Sequence, residues 1–392
     1  MKKRSTRPFK AADEVVVSTA QAFRVAGSFY SAEQIVAVDP LGEGRINDTF
    51  LVRLRDGDEM AVLQRINSLV FPEPQVVIGN LFRLHGQVGF LSRGGGRKFP
   101  TPVRTVTGEE FFCDSQNGYW RVISFIDGKP LAALTTSGQA REVGRILGEF
   151  HTQVRDLDHT ILVDPLPGFH DTPRYLKHYD QVCKNSVRFL EGPELRTSRE
   201  IIERYRSMVP TLEAARHQGH LTTRVMHGDP KLSNILFDGE GRRAVALIDF
   251  DTVKAGLVHY DLADCLRSCC NPRGEDSGGE IHFNTSICRE ILTGYFEKAP
   301  DIFSRPEREY LFPALQLITF ELGLRFITDY LEGDCYFQVA NPDDNLHRAL
   351  TQFTLVEKIR QREAVIRRII MTSAHETGGD AEDGEPGEPS GR

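Results

Sequence analysis

The densest run of chemically capable residues is Val225–Asp251, VMHGDPKLSNILFDGEGRRAVALIDFD. It holds His227-Gly228-Asp229, then Lys231, then Asn234, and it closes an apolar stretch with Asp249-Phe250-Asp251. This set fits transfer of a phosphoryl group. A carboxylate has to orient an acceptor hydroxyl and take its proton. Oxygen ligands have to hold Mg²⁺ against nucleotide phosphates, and a cation has to offset charge on the transferred group. Asp229 suits the first task, Asn234 and Asp249 the second, and Lys231 the third. Asp-x-x-x-x-Asn by itself is often only a turn with a cap, and His-Gly-Asp by itself is equally plain. Their combination with a strand–turn–strand spacer and Asp-Phe-Asp is what carries the chemistry.

Rigid elements must position these groups. Asn234–Phe237 and Ala244–Phe250 flank a glycine turn at 239–241 and read as a hairpin with both metal ligands at adjacent loop ends. Helical periodicity surrounds this β island. It runs over Gly138–Leu157 (Val143, Ile146, Leu147, Phe150), Thr197–Ala215, Ile287–Phe296, Leu311–Leu331 and Leu350–Ile370. The first third reads as mainly β. Strands are expected within Ile46–Leu54 and at Glu59–Ile66, joined by an Asp56-Gly57 turn, and at Val103–Thr107, Glu110–Cys113 and Trp120–Phe125. A helix is expected over Pro74–Leu84, and Asp127-Gly128 breaks the pattern. The expectation is an α+β, bilobal chain. A flexible basic arm (1–10) precedes a small β-rich nucleotide-binding lobe (11–126). A larger, mostly helical lobe for catalysis and substrate (127–371) follows. An acidic tail (372–392) is too poor in large apolar residues to offset its ordering entropy.

Composition limits the alternatives. The 392 residues are 40% hydrophobic and 26% charged, ordinary for a globular chain with a large core. With 48 Lys+Arg against 55 Asp+Glu the net charge is −7, which argues against a nonspecific nucleic-acid binder. No apolar run approaches the ~18–20 residues that span a bilayer, and no apolar segment follows the basic start MKKRSTRPFK. Neither a membrane nor a nucleic-acid partner is expected. Seven cysteines, odd in number and without framework spacing, point to a reduced, cytoplasmic setting. Cys265, Cys269 and Cys270 cluster, but no second Cys/His pair stands at zinc-finger spacing, so they read as core thiols. Oligomeric state is not legible.

His227, Asp229 and Asn234 match the catalytic loop His-x-Asp-x-x-x-x-Asn of the aminoglycoside-phosphotransferase branch of the protein-kinase-like fold. Asp249 matches its metal aspartate, the analogue of the kinase DFG position. The chain resembles that family, which implies ATP as donor, Asp229 as base and Mg²⁺ on Asn234 and Asp249. Asp251 is then a further metal or water ligand, or a support for the loop. Further stretches are similar to the N-acetylhexosamine 1-kinases, a group within the family. They are Gly42–Phe50, Leu63–Asn67, Tyr119–Ile126, Pro167–Thr172, Leu247–Gly256, Tyr260–Arg267, Glu321–Phe337 and Pro342–Leu355. This resemblance implies transfer of the γ-phosphate to the anomeric O1 hydroxyl of N-acetylglucosamine or N-acetylgalactosamine.

On the nucleotide side, Gly42 and Gly44 form a Gly-x-Gly before a strand. Alone that reads as a turn; the resemblance makes it a phosphate cover. Kinases carry a lysine on the third strand, whereas here Gln64 stands at that place. Adjacent strand side chains face opposite ways, so Gln64 and Arg65 cannot both meet the nucleotide. Alignment favours Gln64, with Arg45 a second candidate cation. Ser124–Ile126 would be the connector whose backbone binds adenine. On the substrate side, Arg325 lies in the apolar segment Leu315–Leu331 and needs partners. Glu321 and Asp329 stand at i−4 and i+4, which makes either a plain helix-face ion pair or an arginine pinned for a sugar. The resemblance carries sugar contacts onto Arg325 and Tyr336, with Asp329 and Tyr330 as weaker candidates. His227 reads as a brace, Asp261 as a cap or loop tether near a helix starting at Leu262, His151 as a packing or surface residue, and Trp120 as core. Two other readings compete: a kinase for an aminoglycoside, choline, homoserine or another sugar, and a non-catalytic nucleotide-binding pseudokinase. An acidic pocket would favour a cationic acceptor, and the missing third-strand lysine speaks for the pseudokinase.

Overall fold

The computed structural model describes residues 17–42, 46–55, 59–87, 98–185, 192–272, 274 and 280–374. The basic arm, Gly44, Arg45, the Asp56-Gly57 turn and the tail from residue 375 onward lie outside the described residues. Thr372 and Ser373, expected in the tail, still belong to a helix.

The small lobe is an antiparallel sheet. β1 (Ile35–Pro40), β2 (Asp48–Leu54) and β3 (Met60–Ile66) pair in sequence. β3 then pairs with β6 (Tyr119–Ser124), which also takes β4 (Pro102–Val103) and β5 (Phe112–Cys113). One face carries Val38, Phe50, Val52, Ala61, Leu63 and Trp120, covered by Ala22, Val25 and Ala26 of α1 (Thr19–Ala26). The register sets Thr49 opposite Gln64 and Gln64 opposite Arg121, so these three stand in a row on the other face. α2 (Pro74–Gln87) leaves Val77 and Ile78 with Ile66 and Phe71, and gives Leu81 and Leu84 to the main core. Its Asn80 Nδ2 donates to Val163 O and Val253 O at 2.6 and 3.1 Å, tying the lobes together.

The larger lobe opens with β7 (Lys129–Pro130), which pairs with the segment 236–237, and continues with α3 (Ser137–Val154), started by a capping box of Thr136 and Gln139. α4 (Thr172–Asn185), α5 (Pro193–Tyr205) and α6 (Thr211–His217) lead to β8 (Arg224–Met226). Then come the hairpin β9 (Ile235–Phe237) and β10 (Ala244–Leu247), and β11 (Lys254–Gly256), which returns to pair with β8. α7 (Val258–Cys269), α8 (Thr285–Lys298), α9 (Arg305–Arg308), α10 (Leu311–Glu332), α11 (Asp344–Gln361) and α12 (Glu363–Ser373) complete the chain. α3 and α8 lie almost backbone to backbone: a Cβ on Gly144 would fall 1.9 Å from Ile291 O, and one on Gly294 2.1 Å from Arg141 O.

Several expectations need correction. The helix expected over Thr197–Ala215 is broken by a 3₁₀ turn at Arg206–Met208 and by Pro210 at the N-cap of α6, where its missing N–H does no harm. The helix expected over Leu350–Ile370 turns at Arg362 (φ −105°, ψ 9°), because α11 packs on α10 whereas α12 packs on α8. The strands expected at 103–107 and 110–113 shrink to two residues each. A turn between them closes with Gly108 N on Thr105 O at 2.9 Å, Gly108 having φ +89°. α1, β1, α4 and the β8–β11 pair carried no clear periodic signal. Length and composition alone would let the segment Arg305–Glu332 cross a membrane, at mean hydropathy 1.3, yet 78% of that window is buried. Its apolarity is core. Cys265, Cys269, Cys270 and Cys288 are buried free thiols.

Candidate active site

Because β8 pairs with β11, the segments after Met226 and before Lys254 emerge side by side. Gly228 (φ +92°) allows the turn between them, since a Cβ there would lie 2.7 Å from Thr252 Oγ1. Asp261, in the first turn of α7, accepts His227 N and Gly228 N at 2.6 and 2.8 Å. It is thus the tether of the loop. His151 is buried, not a surface residue. Its Nε2 lies 2.9 Å from Asp261 and its Nδ1 2.6 Å from the Tyr295 hydroxyl. His227 Nε2 donates to Ile248 O at 3.0 Å and Nδ1 accepts Asp229 N at 3.3 Å, which fixes a neutral ring. Burial lowers its pKa further, so it braces the loop.

Asp229 keeps a quarter of its side chain exposed. Lys231 Nζ donates to its Oδ2 at 2.6 Å. Asn234 Nδ2 donates to Asp229 O and Oδ2 at 2.8 and 3.2 Å, which leaves Oδ1 as the atom it can offer a cation. Ile248 N donates to Asn234 O at 2.9 Å, so the hairpin ends bring Asn234 beside Asp249. Asp249 is left-handed (φ 69°, ψ 63°), a strained conformation for a side chain. Burial, then the charges of Asp251 and Asp229, push its carboxyl above the usual range. Among the described residues no three His, Cys, Asp or Glu side chains form a ready-made metal cage. Asn234 and Asp249 nevertheless fit Mg²⁺. They are oxygen donors in a surplus of negative charge, and that ion completes its shell with water and phosphate.

Asp251 is buried and accepts from Asn47 Nδ2 at 2.6 Å and from Arg121 Nη2. It therefore links the Asp249 loop to the small lobe. Gln64 lies on the site face of β3. Its Oε1 accepts Arg121 Nε and Nη2 at 3.0 and 2.8 Å, and its Nε2 donates to Thr49 at 3.3 Å. Arg65 faces the other way, 3.9 Å from Asp48. Gly42 (φ +70°) turns the chain before the segment that holds Gly44 and Arg45. Ser124 exchanges hydrogen bonds with Thr101, and Ile126 is buried against Leu236 and Ala246 where the sheet gives way to the larger lobe.

Arg325 has partners other than those expected. Glu321 is engaged by His170 Nδ1 at 3.0 Å and Thr172 Oγ1 at 2.6 Å. Asp329 accepts the backbone N–H groups of Cys335, Tyr336 and Phe337 at 2.8–2.9 Å, and Asn345 Nδ2 at 2.9 Å. No described residue offers Arg325 a carboxylate. The rings of Phe169, Tyr175, Tyr336 and Phe337 surround its guanidinium at 5.2, 5.4, 5.6 and 5.4 Å. Burial works against its charge, but Tyr175, Tyr336, Glu321 and Asp229 outweigh it and raise the pKa, so Asp229 acts within its range. His170, at φ +64°, also donates from Nε2 to Gly228 O at 2.8 Å. With acceptors at both ring nitrogens it is held as a cation: its pKa is raised because Glu321 outweighs burial. His170, Arg121 and the rings of Phe169, Tyr175 and Phe337 were missed as site residues, whereas Tyr336 was named. Only Arg121, a charge inside the apolar strand YWRVIS, left a signal in the sequence.

Comparison with known proteins bears on the fold and the family. An aminoglycoside phosphotransferase from Alicyclobacillus acidocaldarius subsp. acidocaldarius DSM 446 superposes at TM-score 0.58 with 16% identity, over 93% of this chain and 100% of its own. Choline kinase from Cryptosporidium parvum Iowa II gives 0.55 with 14% identity, over 87% and 93%. The GDP complex of aminoglycoside 2'-phosphotransferase-IIIa gives 0.58 with 15% identity, over 88% and 100%. At such identities the likeness establishes a kinase-like α+β fold with a small antiparallel sheet lobe and a mostly helical lobe. The family model for phosphotransferase enzymes matches residues 37–284, more than half of the sequence, and the chain therefore belongs to the phosphotransferase enzyme family.

Proposed function

We propose that this phosphotransferase moves the γ-phosphoryl group of ATP to the anomeric O1 hydroxyl of an N-acetylhexosamine, with Asp229 as the base. The observation that carries the acceptor class is Arg325, a guanidinium to which no described residue offers a carboxylate, caged by rings and within electrostatic range of Asp229. A fixed cation there repels choline, amino alcohols and aminoglycosides and suits a neutral, oxygen-rich ring. Guanidinium N–H groups donate to hydroxyl or acetamido oxygens, and Tyr336, 47% exposed, offers a ring face or hydroxyl. The choice of an N-acetylhexosamine among neutral acceptors rests on the sequence resemblance along Glu321–Phe337 and its companion stretches.

Asp229 orients O1 and accepts its proton as oxygen bonds to the γ-phosphorus and the bond to the bridging oxygen of ADP breaks. Lys231, seated on Asp229, faces the charge that develops on the transferred group. Bound Mg²⁺ would neutralise the phosphates, held by Asn234 and Asp249. His227, Asp261 and His151 hold the loop rigid, and lobe closure excludes water.

The test is Mg²⁺-dependent ADP release with N-acetylglucosamine, N-acetylgalactosamine, glucose, galactose, kanamycin, choline and homoserine, with phosphorus NMR of the product. An anomeric phosphate on an N-acetylhexosamine is expected. Preferential turnover of a cationic acceptor would overturn the assignment. Asp229→Asn should lower kcat by about 10²–10⁴-fold while nucleotide still binds. Unchanged turnover would remove Asp229 from the base role.

A further inference from the structure

A buried guanidinium stands beside the place where the third strand lacks a lysine. Arg121 on β6 lies directly opposite Gln64 on β3, and its side chain is only 3% exposed. Nε and Nη2 are fixed by Gln64 Oε1 at 3.0 and 2.8 Å, and Nη2 also pairs with the Asp251 carboxylate. Nη1 is buried as well, yet it has no hydrogen-bond partner among the described residues. A buried donor left without an acceptor is destabilising, and where one persists it commonly awaits a ligand or an ordered water. The surroundings say which. Arg121 is held by Asp251, two residues from Asp249, and its charge opposes the ionic crowding at Asp249. Nucleotide phosphates that reach a metal on Asp249 arrive beside this guanidinium.

We infer that Arg121 is the phosphate-side cation of the nucleotide site, donating from Nη1 to a phosphate oxygen while Gln64 and Asp251 hold the guanidinium. The inference rests on the kinase reading above. It also accounts for Gln64. A lysine there would set two cations face to face across the strands, which is destabilising, whereas glutamine supplies the acceptor that fixes Arg121. The strand lysine is thus replaced by a glutamine and an arginine acting as one unit.

The experiment is calorimetric titration of wild type, Arg121→Gln and Arg121→Lys with Mg·ADP and, separately, with adenosine, which has no phosphate. Arg121→Gln should weaken Mg·ADP at least tenfold and leave adenosine within twofold. In steady state the KM for ATP should rise while the KM for the acceptor stays put. Equal loss for ADP and adenosine would mean a merely structural residue, and undiminished ADP binding would mean that Nη1 serves a water; either overturns the inference. Should Arg121→Gln fail to fold, the same ADP-to-adenosine ratio is read in Arg121→Lys. There a threefold drop or more is expected, because one ammonium cannot serve Gln64, Asp251 and phosphate together; an unchanged ratio overturns the inference. Asp229→Asn is the control. If it loses turnover yet binds ADP, the kinase reading stands whatever Arg121 does. If wild type binds neither ligand, both fall.

Discussion

Asp249 must be an anion to hold a metal, in a place that resists an anion. Burial and two neighbouring carboxylates raise its pKa from 3.8 to about 7. A carboxyl whose folded pKa lies above its unfolded one gives stability that is full at low pH and is lost as pH rises through the folded value. Metal-free protein should therefore lose stability relative to Asp249→Asn between about pH 4 and 7, and Mg²⁺ should remove that dependence. Melting temperatures of both proteins at pH 5 and pH 8, with and without Mg²⁺, check this. A difference that does not change with pH would refute it. On the acceptor side, Arg325→Gln should raise the acceptor KM about tenfold or more, the worth of one charge-assisted hydrogen bond, with the ATP KM unchanged in the same assays. Asp229, Asn234 and Asp249 were legible because fixed spacing and one hairpin place them. The partners of Arg325 were not. Positions i−4 and i+4 share its helix face, but His170, Thr172 and three backbone N–H groups reach Glu321 and Asp329 first, from segments whose approach no local pattern encodes.

Elements hold these residues by close approach and by loop clamps. Gly144 and Gly294 let α3 carry His151 against α8 and Tyr295. Gly144→Ala would drive a methyl into Ile291 O, so it should cost about 1–3 kcal/mol or more, read by urea unfolding. Its folded fraction should keep a near-normal KM for both substrates. Asp329 fastens the segment that carries Tyr336 to α10. Asp329→Ala should free that segment and raise the acceptor KM several-fold while the ATP KM holds, and equal change in both constants would count against a clamp confined to the acceptor. Hairpins β2–β3 and β9–β10 and helices α2, α3, α8 and α10 were legible from alternation or helical spacing. The breaks at Pro210 and Arg362 were harder: apolar spacing runs on across them, and the turn exists because the next helix finds a different neighbour.

At the scale of the molecule, polar ties that join the two lobes among the described residues include Asp251 with Asn47 and Arg121, Asn80 with Val163 and Val253 O, and Lys98 with Val245 O and Leu247 N. Asn47→Ala should loosen the first of these, raising the ATP KM and the share of ATP hydrolysed when no acceptor is present. ADP release with and without acceptor reads both. The bilobal plan itself was legible from a β-rich start and a helical remainder, but the ties were not, since they join residues 83 to 204 positions apart. The ring cage has a longer reach. Phe169, Tyr175, Arg325, Tyr336 and Phe337 all lie outside the segment 227–251, to which the proposed mechanism assigns the phosphoryl chemistry. After a gene duplication, one copy can drift at those few positions and meet new metabolites while selection holds the catalytic loop still, so the lineage can diversify in what it marks without relearning how.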